Sequence, residues 1–166
     1  ALVDTGVELT FLGGALPHPA FVDALGASRV VRSWSVQGTS LTDRTDQNGH
    51  GTGVASVAVG RRWSTNPQVA DGFAPAAAIA TYRVTHGTGD IATDVDLALA
   101  YGQILLDVIG GLPVRVANCS FGGSPDPRAV DQQALDELAF HGDVLVVTSA
   151  GNVVVPPNLD YRATEQ

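Results

Sequence analysis

The chain has 166 residues, 45% of them hydrophobic and 6% aromatic, enough to form the core of one sizeable domain. The formal charge is -8 and the pI about 4.6, a balance that argues against a nucleic-acid partner. A single cysteine, Cys119, excludes an internal disulfide framework, and no run is long and apolar enough to span a bilayer.

In chain order, ALV before Asp4 reads as the end of a buried strand. It is short for a core strand, and no signal peptide precedes it, so the natural chain is expected to extend further at its N-terminus. His18 lies in a proline-flanked loop and reads as exposed. Arg29 to Trp34 is a second strand. Residues 35 to 49 are polar and rich in Gly, Asp and Asn, hence loop. A helix follows from His50 to about Val59, with Val54, Ala55, Val57 and Ala58 as small apolar residues suited to burial. Arg61 to Gly72 reads as a surface loop.

Ala78 to Val84 is a β-branched run ending at the turn-rich THGTG. Thr93 can cap the next helix, with Asp94 and Asp96 in its first turn. Val95, Ala98, Leu99, Leu106 and Ile109 recur at helical spacing as its apolar positions, and Gly110 and Gly111 end it. Val114 to Cys119 is a strand. Pro127 starts a further helix, with Val130, Ala134, Leu135 and Leu138 on one face and Gly142 closing it. Val144 to Thr148 is the last strand.

This alternation, with continuous apolar strands, implies an α/β fold: a mainly parallel sheet between helices, three layers α/β/α. In such sheets function collects beyond the carboxyl ends of the strands. Asp4-Thr5-Gly6, Gly87-Thr88-Gly89, Ser120-Phe121-Gly122-Gly123 and Ser149-Ala150-Gly151-Asn152 each follow a strand. The stretch NGHGTGVAS sets His50 between two glycines at a helix start, where backbone can pass close to something else.

A carboxylate that accepts the Nδ1 proton of an imidazole fixes its tautomer and frees the other nitrogen to take a proton from a nucleophile. Asp4 and His50 supply that pair, and the Asn152 amide can stabilise an oxyanion. In this order they resemble the subtilisin-like serine proteases. The matching pieces are ALVDTGV, NGHGTGVAS, GFAPAAAIATYRV, ANCSFGG and VLVVTSAGN, which cover nearly the whole chain. The resemblance implies that Asp4 orients His50, that His50 is general base and acid, and that Asn152 donates to the oxyanion. It implies that Ser120, Phe121 and Gly122 pair with substrate backbone, with Gly87, Thr88 and Gly89 along the other side of that substrate strand. Ser149, Ala150 and Gly151 would wall the pocket for the residue before the cut. It also implies a peptide or protein substrate and a secreted, extracellular bacterial enzyme with no membrane attachment.

Two positions depart from the family pattern. Gly53 stands where a second histidine is usual, and the Arg61 to Asp71 loop differs from those that often help bind calcium. No cofactor is expected; the resemblance would allow calcium, but no clear calcium site supports it. The larger departure is the nucleophile. The family's serine lies in a G-T-S-x-A-x-P block well downstream of the asparagine, and the sequence ends at Gln166 before any such block. Gly38-Thr39-Ser40-Leu41 spells GTS, but Thr42-Asp43 follow it, it precedes the histidine, and no helix pattern comes after. Cys119 reads as a buried packing residue.

Residues 1–166 are therefore expected to be the N-terminal part of one subtilisin-like catalytic domain, incomplete at its C-terminus and inactive alone. The serine would lie on a missing or separate C-terminal chain or segment. The alternative is a catalytically inactive relative that binds extended peptides. Metal hydrolysis lacks an H-E-x-x-H motif around His50, His86 or His141, and nucleotide binding lacks a glycine-rich loop after the first strand.

Overall fold

The computed structural model describes residues 1–11, 16–66, 69–89, 92–122 and 126–149. Its strands are β1 (Leu2–Asp4), β2 (Thr10–Phe11), β3 (Leu16–Pro17), β4 (Val30–Ser35), β5 (Ile79–Arg83), β6 (Val116–Cys119) and β7 (Leu145–Thr148). Its α-helices are α1 (Leu41–Arg44), α2 (His50–Val59), α3 (Asp94–Ile109) and α4 (Val130–Gly142), with a 3-10 turn at Pro19–Phe21. The chain divides near residue 91 into two compact units.

The first unit carries β1 to β5. β5 pairs in parallel with β1 on one side, Leu2 opposite Thr81 and Asp4 opposite Arg83, and with β4 on the other. All five residues of β5 are buried, as a strand covered on both faces requires. Leu2, Val7, Ala20, Phe21, Ala55 and Ile79 form the core here, with Val54 and Val59 of α2 packed against it. α2 begins and ends where the sequence places it, but Val57 is exposed, so only one side of this helix is covered.

Arg29 is buried, and its guanidinium is shared among main-chain carbonyls: Nε donates to Val22 at 3.1 Å, Nη1 to Ala77 at 2.6 Å, and Nη2 to Ala20 at 3.0 Å and Val59 at 2.7 Å. His18 is half-buried rather than exposed. Its ring lies 5.9 Å from Phe11 and 5.1 Å from Phe21, and its Nδ1 accepts from the Ala20 N–H. Burial lowers its pKa against the opposing pull of Glu8.

The second unit holds α3, β6, α4 and β7, with β6 and β7 parallel. Thr93 caps α3 in a full capping box. Its hydroxyl accepts from Asp96 N at 3.2 Å, while the Asp96 carboxylate accepts from Thr93 N at 3.0 Å. The buried face of α3 is not the expected one. Leu97, Ala100, Tyr101 and Ile104 face inward, and Val95, Leu99, Leu106 and Ile109 are exposed. Both sets recur at helical spacing, and α3 packs against α4.

α4 starts at Val130, with Pro127 in the turn before it. Val130 is exposed while Asp131 and Leu138 are buried, and Asp143, not Gly142, takes the left-handed conformation that ends the helix, at φ 50. Gly142 is the helix's last residue, where a Cβ would come within 3.1 Å of Leu138 Cδ1. Cys119 is buried, as read from sequence.

The two faces of α3 make a direct test. Ile104, 0% exposed, should cost about 2–5 kcal/mol of unfolding free energy when replaced by Ala. Ile109, 72% exposed, should cost less than about 0.5 kcal/mol. Urea unfolding of the two variants measures both; the reverse ranking would restore the face expected from sequence.

Candidate active site

Asp4 closes β1, and His50 opens α2. The chain turns into α2 at Gly49, which is left-handed with φ 101, a conformation that favours a residue without Cβ. Asp4 is 1% exposed, and its Oδ1 lies 2.7 Å from His50 Nδ1. The same oxygen accepts from Thr5 N at 2.7 Å. Asp4 Oδ2 is buried without a hydrogen-bond partner among the described residues. The His50 side chain is 51% exposed. With a carboxylate at Nδ1, the neutral ring carries its proton there and keeps the Nε2 lone pair for another partner.

What aims the ring is the first turn of α2. An α-helix starts with N–H groups that have no helical partner. Here His50 N donates to Asn48 Oδ1 at 3.2 Å, Gly51 N to Thr5 Oγ1 at 2.9 Å, and Thr52 N to Asp46 Oδ2 at 2.8 Å. Asp46 is the hub of this arrangement. Its Oδ1 accepts from Thr5 Oγ1 at 2.9 Å, Asn48 N at 3.0 Å and Gly49 N at 2.8 Å, and its Oδ2 accepts from Thr52 Oγ1 at 2.6 Å. Burial works to raise the Asp46 pKa, but the Thr52 hydroxyl and the N–H groups of Gly49, Thr52 and Asn48 outweigh it and hold the carboxyl below its ordinary value. Thr5 thus bridges Asp46 to the residue after His50, one step along the chain from Asp4.

The glycine after His50 has a specific reason. A Cβ at Gly51 would collide with the Gly6 carbonyl oxygen and come within 2.9 Å of Asp4 Oδ1. The close approach read from sequence is therefore of α2 against the turn after β1. Gly53, where the family pattern has histidine, is exposed and a Cβ there would meet open space.

Gly87, Thr88 and Gly89 follow β5 as a turn, with Gly89 N donating to the His86 carbonyl at 3.1 Å. In the second unit, Ser120 follows β6 and its Oγ accepts from Asn118 Nδ2 at 2.9 Å. Phe121 is half-buried and Gly122 exposed. Ser149 is exposed after β7, its N–H donating to the Cys119 carbonyl at 3.1 Å. Ala150, Gly151 and Asn152 lie outside the described residues. Ser40, the serine of the GTS tripeptide, caps a helix that the sequence pattern does not suggest: its Oγ accepts from Asp43 N at 3.1 Å at the start of α1. His141 on α4 pairs with Glu137 at 3.2 Å. No group of three His, Cys, Asp or Glu side chains converges as metal ligands would among the described residues.

Comparison with known proteins adds to this geometry. The Subtilase family profile matches residues 1–165. Subtilisin Savinase of Lederbergia lenta is 33% identical over 154 residues, 91% of this chain and 49% of that protein. The Alkaline protease of Shouchella clausii is 33% identical over 154 residues, 91% of this chain and 35% of its own length. The chain thus spans about half or less of the curated relatives it matches. Among solved structures, the Clostridium perfringens CspB protease superposes with a TM-score of 0.73 at 22% identity, over 91% of this chain and 35% of that one. Sphericase superposes at 0.69 and 24% identity, over 93% and 46%. These likenesses establish the α/β fold with its parallel sheet.

Two substitutions test the aiming device. Gly51→Ala should break the Asp4–His50 hydrogen bond, seen as loss of the bonded Nδ1 proton resonance, and destabilise the chain by about 2 kcal/mol or more. Asp46→Asn should cost about 1–3 kcal/mol at neutral pH. The folded Asp46 pKa lies below the ordinary 3.8, so its contribution is complete above that value and is lost as pH falls through the folded pKa. The stability gap between the two proteins should therefore close in acid, read from unfolding midpoints across a pH series.

Proposed function

The chain belongs to the subtilase family, and on that premise we propose that it carries the acid and base of a serine-type endopeptidase whose nucleophile lies on a further segment of polypeptide. The observation that supports this most directly is the 2.7 Å contact between a fully buried carboxylate and a half-exposed imidazole held at a helix start. A protein that only binds peptides has no need of it.

In this reading Asp4 keeps the His50 proton on Nδ1. His50 Nε2 takes the proton from the serine hydroxyl as the oxygen attacks the scissile carbonyl carbon. Asp4 compensates the imidazolium that forms, and the proton passes to the leaving amine as the C–N bond breaks. Water then repeats the sequence on the acyl-enzyme. The Asn152 amide donates to the tetrahedral oxyanion. Gly87, Thr88 and Gly89, and Ser120, Phe121 and Gly122, pair with the extended backbone of the substrate. Ser149, Ala150 and Gly151 wall the pocket for the residue before the cut. The chemistry uses no cofactor, and in this reading the enzyme is a secreted, extracellular bacterial protease. Residues 1–166 are the N-terminal part of its catalytic domain.

The test is made on the complete polypeptide. His50→Ala should lower the turnover of a peptide substrate by about six orders of magnitude, as removal of a triad member does in subtilisin. A fluorophosphonate should label one serine beyond residue 166 in the unsubstituted protein, located by peptide mass mapping. Unchanged cleavage in His50→Ala would overturn the triad. A polypeptide that binds extended peptides but neither cleaves them nor takes the label would be the peptide-binding relative instead.

A further inference from the structure

Arg83, the last residue of β5, is the largest fully buried side chain among the described residues, at 0% exposure. Its guanidinium is held by main-chain carbonyls. Nη1 donates to Thr42 at 3.1 Å, Asp43 at 3.2 Å and Thr45 at 2.8 Å, and Nη2 donates to Gly87. The first three acceptors lie in or just after α1, a one-turn helix whose last carbonyls have no helical partners. The fourth begins the segment that follows β5. Thr45 leads directly into Asp46 and Asn48, which cap the His50 helix. One planar fork thus joins the loop that aims His50 to the segment Gly87–Gly89.

A second tie lies beside it. Asn48 Nδ2 donates to the Thr88 carbonyl at 3.2 Å, while its Oδ1 accepts from His50 N at 3.2 Å. Adjacent carbonyls of the segment are therefore gripped, Gly87 by Arg83 and Thr88 by Asn48. Filling the core does not require a cation, because a similar apolar side chain would avoid the cost of desolvating a charge. A fork with several fixed donors is what a multi-carbonyl grip does require.

We propose that Arg83 is a positioning residue: it fixes Gly87–Gly89 relative to the Asp4–His50 pair, and so governs the binding of extended peptides rather than the chemical step. This rests on the reading of Gly87–Gly89 as a substrate-pairing edge.

The experiment compares Arg83→Lys and Arg83→Met with the unsubstituted complete polypeptide on an extended peptide and on a single-residue ester. Lysine keeps the charge but cannot span both sets of carbonyls. In Arg83→Lys, KM for the extended peptide should rise about tenfold with kcat within about twofold, and both constants for the ester should stay within about twofold. Arg83→Met should show the larger rise in KM. Amide hydrogen exchange at Thr88 and Gly89 should quicken in both variants. Equal losses on the two substrates, or unchanged KM and unchanged exchange in a folded variant, would overturn the proposal. If the unsubstituted polypeptide cleaves neither substrate, the protease reading fails, and exchange at Thr88 and Gly89 still decides whether Arg83 holds this segment.

Discussion

Helix α2 reaches the turn after β1 because position 51 carries no side chain. That contact is the constraint from which the rest of the site follows. It brings the first turn of the helix onto Gly6 and Asp4, and it leaves polar groups from two distant segments facing each other. Asp46 and Thr5 pair much of this seam: the carboxylate takes the N–H groups of Asn48, Gly49 and Thr52 and both threonine hydroxyls, and Thr5 takes the N–H of Gly51. The geometry of Asp4 and His50 is a by-product of this seam. Their own single hydrogen bond could not hold a half-exposed ring in one orientation, whereas several short bonds on the helix start can.

The same helix is fixed at its other end by a charge of opposite sign. Arg29 donates to the carbonyl of Val59, the last residue of α2, and to three loop carbonyls. An anion at the N-terminus and a cation at the C-terminus both complement the helix dipole. The chain contains no lysine, and among the described residues the buried cations Arg29 and Arg83 both divide a planar fork among main-chain carbonyls. That is a task for guanidinium geometry, since an ammonium is a point charge with a flexible stem.

How much of this was legible in sequence depended on whether the signal was local. The start and end of α2, the capping of α3 by Thr93, and β5 were legible because each is set by neighbours within a few residues. The inward face of α3 was not. Val95, Leu99, Leu106 and Ile109 make as regular a stripe as Leu97, Ala100, Tyr101 and Ile104, and periodicity cannot choose between two apolar stripes on one helix. The mixed face of α4 hid for a related reason: the residue it buries near its start is Asp131, which a hydrophobic pattern skips. Asp46 and Arg83 were missed because each makes a tie that joins segments about forty residues apart, Asp46 to Thr5 and Arg83 to Thr42. A hint for Asp46 was present in its place four residues before His50, with Thr52 just beyond, as a polar residue able to cap an approaching helix. Arg83 gave no hint beyond sitting in a strand that otherwise reads as buried.

The remaining atom of interest is Asp4 Oδ2. It is buried and has no partner among the described residues, and an unsatisfied buried acceptor costs about 1–3 kcal/mol. The neighbouring residues show that the chain is able to satisfy buried carboxylates, because both oxygens of Asp46 are fully engaged a few ångströms away along the same seam. The two acids thus differ in their hydrogen bonding. Asp46 is saturated with donors and its charge is spent on structure. Asp4 receives one main-chain N–H, from Thr5, and faces a single imidazole through the same oxygen, the arrangement that the proposed acid–base reading draws on.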